Sequence, residues 1–335
     1  LPASDLDARL RNLAFRAGLA PDRIEPLPGD VGHRRYYRLR AKGGGSALAV
    51  FYPDSELESR SRWNRLREAL SSVVRVPEVL ADDGHSLQLI EDFGAELLSR
   101  SWAAAAPSRR GEVLRRAASC AARIARLDDP AVNRPFSAEM FLAEMRKSRA
   151  AVFGSGTESL LSPDEDAAHE EFASGLAAEI AGHPTLFVHR DFHADNLFDL
   201  GSDIGVIDFQ DARCGPDSYD VASLAGERDT LCPFDPAAAS EALEAFTRQA
   251  RPEAGLEERW LRVALQRAWK AAGTFAGVLR ASGRRGDYAR FLGAQLSRVR
   301  ALLGASPAER ELARALDRHS AKIAGGARTD SARTP

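Results

Sequence analysis

Two short apolar runs, TLFVH at 185–189 and IGVIDF at 204–209, flank a turn crowded with functional groups: HRDFHADN, residues 189–196. Runs of that length bounded by polar residues read as buried strands. Charged groups are rarely buried without partners, so the turn between them is expected at the margin of a core, with its side chains committed to each other or to a ligand. A plain polar surface loop does not explain the spacing. A zinc site is a second reading of the same residues, since His189 and His193 are four apart with Asp191 and Asp195 nearby, but it requires the segment to be helical.

The surroundings of this turn set the organisation. Residues 30–52 read as a hairpin of VGHRRYYRLR and SALAVFY joined by Lys42 and three glycines. A helix is expected at about 55–72, then strands in VRVPEVLADD and HSLQLIEDFG. Beyond Gly94 the pattern is Ala-, Leu- and Arg-rich and helical at about 107–127, 137–153 and 163–181. It is helical again at about 218–227, 236–250, 256–281, 285–304 and 307–322, with Gly283 and Gly286 marking a break. The expected architecture is α+β and two-lobed with a cleft. Residues 1–93 form a sheet-rich N-lobe, the connector lies at about 90–95, residues 94–322 form a helical C-lobe, and 323–335 is a disordered tail.

With 335 residues, 44% of them hydrophobic, the chain can bury a sizeable core, and 48 acids against 46 Lys and Arg leave no whole-chain field that would favour nucleic acid or an anionic membrane. The three cysteines, Cys120, Cys214 and Cys232, are scattered and without CxxC spacing, which fits a reducing, cytoplasmic setting. The opening LPASDLDARLRNLAFRAGL is an amphipathic helix pattern, neither signal peptide nor membrane span. No protein partner is implied.

Phosphoryl transfer needs a carboxylate beside the attacking hydroxyl and oxygen ligands for a Mg²⁺ that neutralises phosphate charge. In kinases this appears as an Asp in a catalytic loop, an Asn five residues later, and a second Asp ending a following strand. Asp191, Asn196 and Asp208 stand in that order and at that first spacing.

HRDFHADNLF together with GVIDFQDARCGPDSYDVASL resembles the aminoglycoside phosphotransferase and choline kinase superfamily. The resemblance implies a protein-kinase-like fold, with Asp191 as catalytic base, Asn196 and Asp208 as magnesium ligands, and His189 as a structural partner of the loop. HRRYYRL, LIEDFG and RAWKAAGTFAGVLRASGRRGDYARFL are further similar to the anomeric N-acetylmuramate/N-acetylglucosamine kinases. That likeness implies ATP and Mg²⁺, a small-molecule sugar phosphorylated at its anomeric hydroxyl, and a place in peptidoglycan recycling. It also implies that Glu91, Asp92 and Phe93 lie at the connector whose backbone holds adenine. Lys270, Thr274 and Phe275 then become candidate walls of a sugar pocket, and His193 a candidate substrate contact.

Other residues carry two readings. Asp220 either anchors the catalytic loop or caps the helix that follows. Arg213 either serves structure or offers a guanidinium fork to a substrate carboxylate. Trp102, Trp260 and Trp269 fall in helical patterns and read as core. Gly43, Gly44 and Gly45 lack a phosphate-loop pattern and read as a hairpin turn; Gly29 and Gly32 could serve either use. The strand lysine that kinases direct at the α- and β-phosphates is absent, and Phe51 stands in its place. Arg34, Arg35 and Arg38 are the candidate substitutes, and the anomeric sugar kinases are similar in lacking that lysine. Two alternatives stay open: an aminoglycoside- or choline-type phosphotransferase, and a non-catalytic nucleotide-binding pseudokinase. The interleaving of acids after Asp208 with Arg213 and Arg228 favours a neutral or anionic acceptor over a polycation.

Overall fold

Alternation in SALAVF and the helical spacing of the first leucines converge on one core. In a computed structural model, which describes residues 3–27, 33–225, 236–282 and 286–326, helix α1 (Ala3–Arg16) lays Leu6, Leu10, Leu13 and Ala14 against a sheet. The strands are β1 (Pro21–Pro26), β2 (Arg35–Ala41), β3 (Ser46–Phe51), β4 (Val79–Asp82) and β5 (Leu87–Glu91). They pair antiparallel in the order β1-β2-β3-β5-β4. Because successive strand residues face opposite sides, Ala47, Ala49 and Phe51 join Leu39, Leu87 and Leu89 on the α1 side. Each large side chain buried there contributes roughly 1.5–3 kcal/mol. Gly43, Gly44 and Gly45 form the β2–β3 turn, where Gly44 adopts φ 95° and Ala41 N–H donates to the Gly45 carbonyl at 2.9 Å. Strand β1 is absent from the sequence expectation. It is a sheet edge with proline at both ends and charged residues between them, so it shows little apolar alternation. Helix α2 (Leu57–Ser71) follows β3.

The remaining elements are α3 (Leu98–Ala104), α4 (Pro107–Ala125), α5 (Ala138–Phe153), α6 (Pro163–Ala181), β6 (Thr185–Val188), β7 (Leu197–Asp199), β8 (Ile204–Val206), β9 (Arg213–Pro216), α7 (Tyr219–Leu224), α8 (Pro236–Ala250), α9 (Leu256–Ser282), α10 (Gly286–Leu302) and α11 (Pro307–Gly326). The expected helices are present with boundaries shifted by a few residues. Helix α11 runs through 323–326, which the sequence assigns to the tail; residues 327–335 lie outside the described residues, as do Gly29, Gly32, Arg228, Cys232 and Gly283. No described helix is long and apolar enough to cross a membrane.

Two compact units result: Leu1–Leu98 with Asn196–Gln210, and Ser99–Asp195 with Asp211–Pro335. This differs from a single boundary at residue 93. The apolar runs on either side of the HRDFHADN turn do not pair with each other. β6 pairs with β9, and β8 pairs with β7. The β7–β8 hairpin belongs to the first unit because Val206 N–H donates to the Arg75 carbonyl at 2.8 Å and Asp199 N–H to the Glu96 carbonyl at 2.9 Å. Gly205 lets the Phe93 ring approach this hairpin closely: a Cβ there would meet two ring carbons at 2.7 Å.

In the second unit α9 runs through the helical core, with Val263, Ala264, Leu265, Ala268 and Trp269 fully buried. It crosses α5 at Gly273, where a Cβ would meet Ser148 Oγ and would lie 2.5 Å from the Ser148 Cα and Cβ. Ala is better than Gly in a helix interior by about 1 kcal/mol, but overpacking against a backbone atom costs roughly 1–3 kcal/mol. Gly273→Ala is therefore expected to lower the thermal unfolding midpoint; an unchanged or higher midpoint would show that the α5–α9 crossing yields.

Candidate active site

The first unit holds the oxygen donors. Asp208 ends the apolar run after β8 with φ 63°, a left-handed backbone that Asp tolerates better than most residues. Its neighbour Phe209 is fully buried and stacks on Trp63 of α2, with centroids 5.3 Å apart, so an aromatic anchor fixes the chain beside the carboxylate. Gln210 Nε2 donates to Asp208 Oδ1 at 2.7 Å and Asn196 Nδ2 to Asp208 Oδ2 at 3.3 Å. The Asn196 backbone carbonyl also accepts from Ile207 N–H at 3.1 Å. Asn196 and Asp208 are thus side by side and offer only hard oxygen ligands, once the Asn196 amide turns its oxygen toward the shared side. That donor set fits Mg²⁺, which takes one or two protein oxygens and completes its shell with phosphate and water.

In the same unit the connector residues are structurally engaged. Glu91 pairs with Arg75 and accepts from Glu78 N–H at 3.3 Å. Phe93 packs edge-on against Phe198, with centroids 5.6 Å apart, beneath the Arg75 guanidinium. Arg38 is committed to Asp92, with Nε 2.8 Å from Oδ2 and Nη2 3.0 Å from Oδ1, which takes it out of the candidate substitutes for the strand lysine. Arg35 pairs across the ladder with Phe51 and holds its guanidinium 4.5 Å above that ring. Arg34 lies 6.0 Å from the Tyr36 ring.

The second unit holds the acidic loop. Residues 189–193 are not helical, so the geometry on which a His189/His193 zinc site depends is missing. Arg190 adopts φ 80°, a conformation that costs a non-glycine residue of order 1–3 kcal/mol and persists only when surrounding contacts over-determine it. Asp220 of α7 supplies such contacts: its carboxylate accepts from His189 N–H at 2.6 Å and Arg190 N–H at 3.0 Å. Burial pushes the Asp220 carboxyl up, against the pull of His189, the two amides and Arg267. His189 is itself fully buried, edge-on to Phe192 at 5.6 Å.

Asp191 follows directly. Lys270 Nζ lies 3.5 Å and Arg267 Nη2 3.7 Å from its Oδ1. Burial alone would raise the Asp191 carboxyl, but Lys270, Arg267, Arg190 and His193 outweigh it and hold the group well below the usual carboxylate range. Glu144 of α5 sits within 3.2 Å of Arg190, 3.6 Å of Lys270 and 3.0 Å of Gln266. Asp211 pairs with Arg190 at 3.0 Å and Arg213 at 3.4 Å. The result is an alternating network in which each of these carboxylates already has a cationic partner.

The structure separates the other sequence candidates. His193 is buried, with its backbone N–H on the Asp191 carbonyl at 3.0 Å. Arg213 is buried against Phe136 and donates to the Asp211 and Arg134 carbonyls. Phe275 packs with Tyr288 and Phe291 in an aromatic cluster between α9 and α10, as core rather than as a wall beside Asp191. Trp102, Trp260 and Trp269 are buried, and Trp269 Nε1 donates to the Met145 carbonyl at 3.2 Å. Glu144 and Trp63 carry no motif that would have singled them out, and Arg267, though it opens the RAWK segment, carries no role there.

A family model described as the phosphotransferase enzyme family matches residues 23–261. The chain belongs to this family. It is 26% identical over 280 residues to the N-acetylmuramate/N-acetylglucosamine kinase of Neisseria meningitidis serogroup B, covering 78% of this chain and 81% of that protein. It is 25% identical over 302 residues to the protein of the same name from Pseudomonas aeruginosa, covering 85% and 87%. A choline/ethanolamine kinase family protein from Mesorhizobium loti matches in structure with a TM-score of 0.61 at 17% identity, over 93% of this chain and 98% of that one. The chain therefore has the protein-kinase-like α+β fold of these phosphotransferases, and it is a phosphotransferase whose acceptor is a hydroxyl group.

Removing the Asp220 carboxylate leaves two backbone donors without their partner, each costing about 1–3 kcal/mol where buried. Asp220→Ala is expected to lower the unfolding midpoint by several degrees, with Asp220→Asn between it and the wild type because one acceptor oxygen remains. Equal midpoints for all three proteins would mean that other contacts hold the loop.

Proposed function

We propose that the protein transfers the γ-phosphoryl group of ATP to the anomeric hydroxyl of an N-acetylated amino sugar, N-acetylmuramate and/or N-acetylglucosamine, forming a sugar 1-phosphate in cell-wall recycling. The observation that carries the chemistry is Asp191, a carboxylate kept ionised by Lys270 and Arg267 on a loop with a fixed backbone. The acceptor is inferred from likeness to the two curated relatives over most of the chain.

In this reading Asp191 accepts a hydrogen bond from the acceptor hydroxyl, orients it for in-line attack, and takes its proton late. In a loose phosphoryl-transfer transition state the attacking oxygen keeps its proton through most of the reaction, so positioning outweighs basicity. A strongly acidic carboxyl is then no handicap. Asn196 and Asp208 would hold Mg²⁺, with the Gln210 amide orienting the Asp208 carboxylate. When bound, the ion supplies neutralisation of phosphate charge. Arg34 and Arg35 are the cations proposed in place of the strand lysine, and the backbone at Glu91 and Phe93 is the proposed adenine contact.

The charge network argues against a polycationic acceptor. Asp191, Glu144 and Asp211 are each paired with a cation of the chain, so no carboxylate among them is set aside for an aminoglycoside. Lys270 is the side chain best placed to meet a neutral or anionic sugar.

The deciding experiment offers Mg-ATP with N-acetylmuramate, N-acetylglucosamine, an aminoglycoside and choline, read by phosphorus NMR. An anomeric phosphate signal from one or both sugars is expected; transfer only to choline or the aminoglycoside, or to nothing, overturns the reading. The pH profile gives a second check. Because the folded Asp191 carboxyl is depressed, kcat/KM should show no acid limb from this group between pH 8 and about 5. Lys270→Met removes one neighbouring cation and so raises that pKa, while Arg267, Arg190 and His193 continue to lower it. An acid limb between pH 8 and about 5 in the wild-type protein would place the essential base elsewhere.

A further inference from the structure

Helix α9 contributes a side chain to which neither the motifs nor the comparisons assign a role. Arg267 is 1% exposed, so its guanidinium is taken almost wholly out of water. Such burial is weak evidence for stability, because desolvation of a charge offsets most of what its partners return. Its partners show where the group acts instead. Nη1 donates to the Arg190 carbonyl at 2.7 Å, Nη2 donates to Ser223 Oγ of α7 at 3.0 Å and lies 3.7 Å from Asp191 Oδ1, and the plane rests 4.6 Å from the Tyr219 ring.

These contacts fall on the one strained residue of the loop. Asp220 holds the N–H of Arg190 and Arg267 holds its C=O, so residue 190 is gripped at both ends while its φ stays at 80°. The gripped carbonyl belongs to the peptide that links Arg190 to Asp191, and the plane of that peptide sets the direction in which the Asp191 side chain leaves the backbone. We infer that Arg267 is a positioning residue for phosphoryl transfer, fixing the Arg190–Asp191 peptide and the carboxylate it carries in one orientation. The inference rests on the reading of Asp191 as the base. A planar fork suits the task, because it serves the loop carbonyl, the α7 hydroxyl and the carboxylate at once, whereas a lysine ammonium is a point donor on a flexible stem.

The test is a double-mutant cycle in the full chain. Arg267→Lys keeps the charge and loses the fork; it is expected to lower kcat by roughly 10- to 100-fold while the KM for ATP stays within about twofold. Arg267→Met should lose more, and the Lys variant carries the test should the Met variant not fold. In an Asp191→Asn background, Arg267→Lys should cost less than about threefold of the residual turnover, because there is no longer a base to orient. A wild-type kcat in Arg267→Lys, or the same fractional loss in both backgrounds, overturns the inference while leaving the proposed function standing. A wild-type protein that phosphorylates no acceptor on the panel overturns the reading of Asp191 itself, and this inference with it.

Discussion

The bond from Arg190 N–H to the buried carboxylate of Asp220 is the constraint on which the HRDFHADN loop depends. A side-chain-bearing residue at φ 80° relaxes unless it is held, and Asp220 holds it from α7 together with the preceding amide of His189. Because that carboxylate is buried and its ordinary affinity for a proton is raised by burial, the two N–H donors stabilise its charge as much as it stabilises them. The next residue, Asp191, then faces Lys270 and Arg267 rather than solvent alone. One strained backbone residue, gripped through its own polar groups, thus decides where the Asp191 carboxylate sits.

A similar device operates at Asp208, with a different anchor. Here a left-handed Asp precedes a fully buried Phe209, and the stacking of that ring on Trp63 does the work that a hydrogen-bonded carboxylate does at Arg190. The two solutions fit their surroundings. Asp208 takes hydrogen bonds from the Gln210 and Asn196 amides, and its anchor is the aromatic stack of the next residue. Asp191 is partly buried beside Lys270 and Arg267, so its surroundings are cationic.

What could be read from the chain followed from how local each feature is. Asp191, Asn196 and Asp208 fall within one short stretch, so the motif on which the proposed function rests could be read from spacing alone. The helices from 107 onward were legible from period and caps; Ser162 and Glu165, for example, form a reciprocal capping box at the start of α6. The strand partners were not legible. TLFV pairs with RCGP and IGV with LFD, and nothing in those residues distinguishes this from pairing across the turn. The supporting contacts were hidden for the same reason: Glu144 reaches Arg190 from a helix far away in sequence, where a charged residue among alanines looks like a solvated face, and Arg267 and Lys270, though inside the segment similar to the sugar kinases, carry no sign there of their approach to Asp191. Phe275 misled in the opposite sense, because its place beside Lys270 in the sequence becomes a different face of α9, turned to Tyr288 and Phe291.

The missing lysine of β3 can be argued from the ladder itself. Arg35 and Phe51 are directly paired across β2 and β3, and residues opposite one another in antiparallel strands project from the same face. Exchanging a lysine at 51 for an arginine at 35 therefore moves a cation sideways by one strand spacing, about 4.8 Å, without moving it to the other side of the sheet. An arginine side chain spans that distance. The contact it makes with the Phe51 ring is of a kind worth only about 0.5–1 kcal/mol at an exposed position, too little to keep it from a phosphate. Arg38, three residues further on and on the opposite face of the strand, has no such freedom, because Asp92 holds it through an ion pair and a hydrogen bond. Arg35 therefore shares the sheet face of residue 51, which is the geometric ground on which it is proposed in place of the strand lysine.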